Sequence, residues 1–125
     1  MIPDFHDGLL EGLCVFGSEA KIFLKTFKEQ KFTLTLGGVE RLHAENFWEG
    51  NIILSLGFLT LEQLTVEDIS EAYHFNGEVP PDFVMKDWIE SAKQRNLQAM
   101  EISSSYGCTA LAFFKSHDLR EGYVL

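Results

Sequence analysis

The stretch SSSYGCTALAFF, Ser103 to Phe114, decides the fold, because it reads either as a catalytic elbow or as a β-hairpin. A nucleophile elbow, G-x-S-x-G, joins a strand to a helix through a strained turn whose small flanking residues let the backbone fold back. Here Gly107 supplies the second glycine, but Ser103 replaces the first. The residues after the bend do not read as a helix: CTALAFFK is rich in aromatic and β-favouring residues and shows no helical period. Upstream, AMEIS alternates, with Met100 and Ile102 on one face and Ala99 and Glu101 on the other. The segment is therefore strand, turn, strand, with Tyr106-Gly107 near the bend and Gly107 free to take a positive φ.

Before the hairpin the period is helical. Met85, Trp88, Ile89 and Ala92 repeat at i, i+3, i+4 and i+7, which predicts a main helix over 83–96. Asp82 caps it, and Lys93 and Arg95 sit at its end, where cations suit the helix dipole. Pro80-Pro81 divides it from a short helix over 66–74. There Thr65 and Asp68 form a capping box, and Leu64 and Ile69 stand at staple positions. Val66, Ile69 and Tyr73 would face the core.

Four strands precede the helices. LLEGLCVF (9–16) and AKIFLKTFK (20–28) join around GSE, with Lys21 and Lys25 on one side and Ile22 and Leu24 on the other. KFTLTLG (31–37) alternates most cleanly, Phe32, Leu34 and Leu36 inward and Thr33 and Thr35 outward, until Gly37-Gly38 breaks it. VERLHAENFWEG reads as a bent, partly covered connection, and NIILSLGFL (51–59), apolar on both faces, as a central strand. The tail REGYVL reads as an edge strand. This order predicts a single α+β domain over 1–125: a mostly antiparallel, curved sheet of about six strands with the Trp88 helix on one face. The other face either curves over as a half-barrel or meets a second copy in a homodimer.

With 125 residues and 46% apolar composition, including eleven phenylalanines, the chain can bury a core without metals or disulfides. Cys14 and Cys108 lie far apart in strand-like runs and are expected to be buried free thiols. The opening MIPDFHDG has neither the basic nor the apolar region of a signal peptide, and no run is long enough to span a membrane, so a cytoplasmic protein is expected. A net charge of −9, from ten Lys/Arg against nineteen Asp/Glu, denies the cationic footprint that nucleic acid requires. Between Glu62 and Glu90 eight acids stand against Lys86 alone. Such a run often serves only as a solvated helical face. The sharper alternative is a docking surface for a basic protein, centred on Glu67, Asp68, Glu71, Asp82 and Asp87.

Catalytic groups are sparse. The His6-Asp7 pair could serve a general base or a metal, but Asp7-Gly8 also suits a plain turn into the first strand, with His6 hydrogen-bonded beside it. His43, His74 and His117 have no zinc-ligand spacing, so neither metal nor cofactor is expected. No phosphate-cradling glycine motif occurs. Cys108 lacks the electropositive setting of a reactive thiol, its nearest cation in sequence being Lys115. FWEGN (47–51) places two aromatics where they could line a pocket or cover the end of a core.

The segments PDFHDG, NFWEGNII and EISSSYGC resemble a small uncharacterised bacterial family, and more loosely the immunity proteins of bacterial toxin systems. The resemblance carries no site residues and implies a non-enzymatic binding role. Two functions are therefore expected to compete. One is a protein-interaction protein that presents the acidic surface. The other is a small-ligand binder or weak hydrolase with a concave sheet pocket bounded by His6, Asp7, Trp48 and Tyr106.

Overall fold

The computed structural model describes residues 2–73 and 82–125, without the side chains at 66, 70, 71, 73, 82 and 83. His74, Glu78 and the helix break at Pro80-Pro81 lie outside these residues, as do the side chains of Val66, Glu71, Tyr73 and Asp82. Eight strands form one sheet: β1 (Leu9–Phe16), β2 (Glu19–Lys25), β3 (Lys31–Gly37), β4 (Arg41–Glu45), β5 (Asn51–Leu59), β6 (Gln98–Tyr106), β7 (Thr109–Phe114) and β8 (Ser116–Glu121). Between β5 and β6 come a 3-10 turn (Leu61–Gln63), α1 (Val66–Tyr73) and α2 (Asp82–Gln94). No described helix is long and apolar enough to cross a membrane.

The strand order is β4-β7-β6-β5-β1-β2-β3-β8, with every pairing antiparallel. The expected count of about six falls short by β4 and by β8, which lies at Ser116–Glu121 rather than over the tail REGYVL, whose residues 122–125 are not strand. Both corrections have one cause. β3 runs into β4 through Gly38, whose φ is +60°, and β7 runs into β8 through Lys115. β3 pairs with β8 and β4 with β7, and the ladder carries across the gap through Lys115 N–H to Gly37 O (2.9 Å) and Glu40 N–H to Phe113 O (2.8 Å). The two ends of the strand order thus belong to one bent ribbon, and the sheet curls around a single interior. That supplies the covering expected for the second apolar face.

The interior is built by alternation. Leu10 of β1, Ile22 and Leu24 of β2, Phe32, Leu34 and Leu36 of β3, Ile53 of β5, Met100 and Ile102 of β6 and Phe114 of β7 are buried together. Thr33 departs from expectation: it faces away from this core yet is 2% exposed, because the C-terminal segment crosses it. Its hydroxyl donates to Gly122 O (2.7 Å) and accepts from Val124 N–H (3.0 Å).

Residues opposite one another in antiparallel strands share a face. The pairs Ala99↔Phe113 and Glu101↔Leu111 therefore lie on the outer side, together with Arg41 and His43 of β4. The helices cover part of this side. Ile69 and Ala72 of α1 and Met85 and Ala92 of α2 bury against Ala99, Leu111 and Phe113, and the Trp88 ring meets Phe113 edge-on at 5.1 Å. α1 begins at the expected capping box: Thr65 Oγ1 accepts from Asp68 N–H (3.1 Å), and Asp68 Oδ2 accepts from Thr65 N–H (3.0 Å). α2 starts at Asp82, which is its first residue rather than the residue before it. Arg41 Nε donates to the Ala72 carbonyl (2.7 Å) and pins the end of α1 to β4.

Candidate functional site

Where α1 stops covering the outer face, a cleft of about 240 Å³ opens between α1, β4, β6 and β7. Alternation along β4 aims His43 and Glu45 into it, and alternation along β6 does the same for Glu101 and Ser103. Asp68 completes the set from the first turn of α1. His43 Nε2 lies 2.9 Å from Glu45 Oε1, and the Ser103 hydroxyl donates to Glu101 Oε1 (3.2 Å). Asp68 spends one carboxylate oxygen on its capping bond. Three carboxylates thus border one cleft whose described lining holds no lysine or arginine. Among the described residues no three ligands approach closely enough to hold a metal ion. The arrangement suits a larger, hydrogen-bonding cation such as a guanidinium or ammonium group.

Of the five acids expected to form one docking surface, three have described side chains. Asp68 lines the cleft, Glu67 and Asp87 point to solvent, and the side chains of Glu71 and Asp82 lie outside the described residues. Glu62 is paired with Lys93 of α2, whose hydrogen bond holds its carboxyl below the usual range. Sequence reasoning misses Glu45, Glu101 and His43 as site residues, because they come from strands remote in the chain. The Arg41/His43/Glu45 alternation, inside a stretch that reads as a connection, is the one available signal.

His6 and Asp7 form the turn into β1. Asp7 has φ 60°, its N–H donates to Ile53 O (2.9 Å), and Gly8 N–H donates to Phe5 O (2.8 Å). The His6 ring bonds through Nδ1 to the Leu54 carbonyl (2.8 Å), with Nε2 3.5 Å from Asp7 Oδ2. That carbonyl first, then the Asp7 and Asp4 carboxylates, raise the imidazole pKa above its ordinary value. Trp48 and Tyr106 meet edge-to-face at 5.3 Å, each about half exposed. The structure thus joins the four expected pocket residues only in these two pairs, and no described cavity holds two of them. The concave side of the sheet does carry a cavity of about 330 Å³, but Phe5, Leu24, Leu34, Phe58 and His117 line it instead.

The Trp48–Tyr106 corner hangs on a residue that the sequence does not mark. Asn51 is buried at the start of β5, and its Oδ1 accepts from Trp48 N–H (2.8 Å) and Cys108 N–H (3.0 Å). Its Nδ2 donates to Leu10 O (3.1 Å) and Trp48 O (2.6 Å). One amide therefore ties β1, the loop 46–50 and the β6–β7 turn together. Gly107, with φ +89°, lies against it so closely that a Cβ would sit 2.3 Å from Asn51 Oδ1. Cys108 occupies this turn rather than a strand; it is a buried free thiol whose pKa burial pushes up. Cys14 is also free and only partly buried.

No protein-family model, curated protein or solved structure matches the chain.

Proposed function

We propose that this is a non-catalytic protein-binding protein that engages a basic partner through the acidic cleft, in the manner of an inhibitor or immunity protein. The observation that carries the proposal is the convergence of three carboxylates, those of Glu45, Asp68 and Glu101, on one cleft beside α1. An exposed ion pair contributes little, about 0–1 kcal/mol. A guanidinium received by three carboxylates at the edge of a helix-covered sheet is better shielded from solvent and salt. The net charge of −9 adds long-range steering towards such a partner.

The test is affinity capture with the full chain at low and high salt, repeated with Glu45→Lys and Glu101→Lys. A captured basic partner is expected to be lost at high salt and with either reversal. Capture indifferent to both salt and reversal would sink the electrostatic proposal.

A further inference from the structure

We infer that the free edge of β1, together with the groove beside it, accepts an extended segment of a basic partner protein as an added strand. β1 pairs with β2 along its length, but with β5 only through Leu9 and Leu10. Beyond that point the chain before β5 swings away: Gly50 turns it with φ +70°, and Asn51 fixes the turn by bonding both the N–H and the C=O of Trp48. The loop 46–50 therefore stands off from β1 and leaves a groove of about 570 Å³ between Leu10 and Glu11 on one wall and Phe47, Trp48 and Glu49 on the other.

The lining of the groove ends at Glu11, and from Gly12 onward β1 continues as an edge that β5 does not pair. Sheets blunt exposed edges with lysine, proline or a bulge within the strand. Gly12–Phe16 has no charge and no proline, and past the bulge at Glu11 it keeps regular register with β2 from Gly12↔Phe23 to Phe16↔Glu19. Among the described residues no strand pairs with its other side. Val15 is 55% and Phe16 72% exposed. Strand addition draws affinity from main-chain hydrogen bonds and specificity from pockets for alternate side chains. The groove supplies such a pocket, and beside it stand the Trp48 and Tyr106 rings, held in place before any partner arrives.

Charge selects the occupant. Of the two carboxylates lining the groove, Glu11 is already paired with Lys25 (3.7 Å) and bonded by the Tyr123 hydroxyl, so Glu49 supplies the charge, and the adjoining rings favour a cation over their faces. A second copy of the chain would bring the same carboxylates and another −9 to the contact, so a foreign basic segment fits better. The inference rests on the protein-binding function proposed above but on different residues. The cleft is tested at Glu45 and Glu101 and this edge elsewhere, so the two can fail separately.

The experiment titrates the isotope-labelled full chain with a short synthetic peptide alternating valine and arginine, followed by amide NMR spectra. Saturable shifts are expected at Gly12–Phe16 and at the Trp48 indole N–H. A valine–glutamate peptide, and a valine–arginine peptide N-methylated at alternate amides, should each bind at least about tenfold more weakly. Trp48→Ala should weaken the basic peptide by about tenfold or more. Because Trp48 is half exposed, that variant should fold, and the N-methylated peptide needs no variant at all. Shifts centred elsewhere, equal binding by the N-methylated or acidic peptide, no saturation at millimolar peptide, or self-association of the chain through β1 would each overturn the inference.

Discussion

Replacing Asn51 with alanine should be among the most damaging single changes in this protein. The side chain is 1% exposed and makes four hydrogen bonds to main-chain groups of three separate segments. Alanine would leave the Leu10 carbonyl and the Cys108 amide without this partner at buried positions, and each orphaned group costs about 1–3 kcal/mol. The two Trp48 bonds are only part-buried, so water can replace much of what they contribute. The expected loss is therefore about 3–4 kcal/mol, a large fraction of the roughly 5–15 kcal/mol that holds a domain together. Urea unfolding followed by far-UV circular dichroism would measure it, with a fall in Tm of roughly 10 °C or more as a second readout. Ser105→Ala, an exposed change in the same hairpin, is the control and should stay within about 0.5 kcal/mol of the parent. A loss below about 1 kcal/mol for Asn51→Ala would refute the role of this amide as the tie between β1, the loop and the turn.

The remaining expectations come from single contacts. Gly107→Ala combines a φ of +89° with a methyl 2.3 Å from Asn51 Oδ1, so it should cost more than about 2 kcal/mol by the same urea assay. Thr65→Ala removes the α1 cap and should cost about 1 kcal/mol, with faster amide exchange in the first turn of α1; unchanged exchange would count against the cap. In native protein a maleimide should label Cys14 well before Cys108, and both equally once urea unfolds the chain. Burial, and then the hydrogen bond to Glu11, push the Tyr123 hydroxyl pKa above the usual tyrosine value of about 10. Because the unfolded chain would lose that proton first, this contribution is intact below about pH 10 and is lost as pH rises through the higher folded value. Tyr123→Phe should flatten that alkaline decline and remove the latest component of the phenolate absorbance.

The hairpin is legible because Met100 and Ile102 alternate with Ala99 and Glu101, and because Gly107 stands where a left-handed residue is needed. The central place of β5 comes from its apolar residues on both faces, and the buried stripe of α2 from the spacing of Met85, Trp88, Ile89 and Ala92. β4 is not legible, since its polar side chains occupy the outer face beside α1 and its partner β7 lies far along the chain. β8 has only Leu119 to mark an inward position; it is a strand because β3 offers it an edge, not because SHDLRE favours one. The candidate site fails to show for a similar reason. Counting acids along 62–90 finds Asp68, but Glu45 and Glu101 join it only through the strand order. Asn51 looks like an ordinary first residue of a strand, and its importance appears only when three segments converge on it.

The bent ribbon of β3–β4 against β7–β8 also sets a timetable for folding. β1 and β2 can zip together as soon as both have been synthesised, but β3 acquires its second neighbour only after the ribosome has passed residue 121. Until then one side of β3 stays open in a chain whose greasy surfaces are only partly sheltered. Contacts this distant in sequence close slowly, so refolding should be paced by capture of the final strand. Shortening the chain at residue 115 should therefore leave a protein that clumps rather than a smaller folded one.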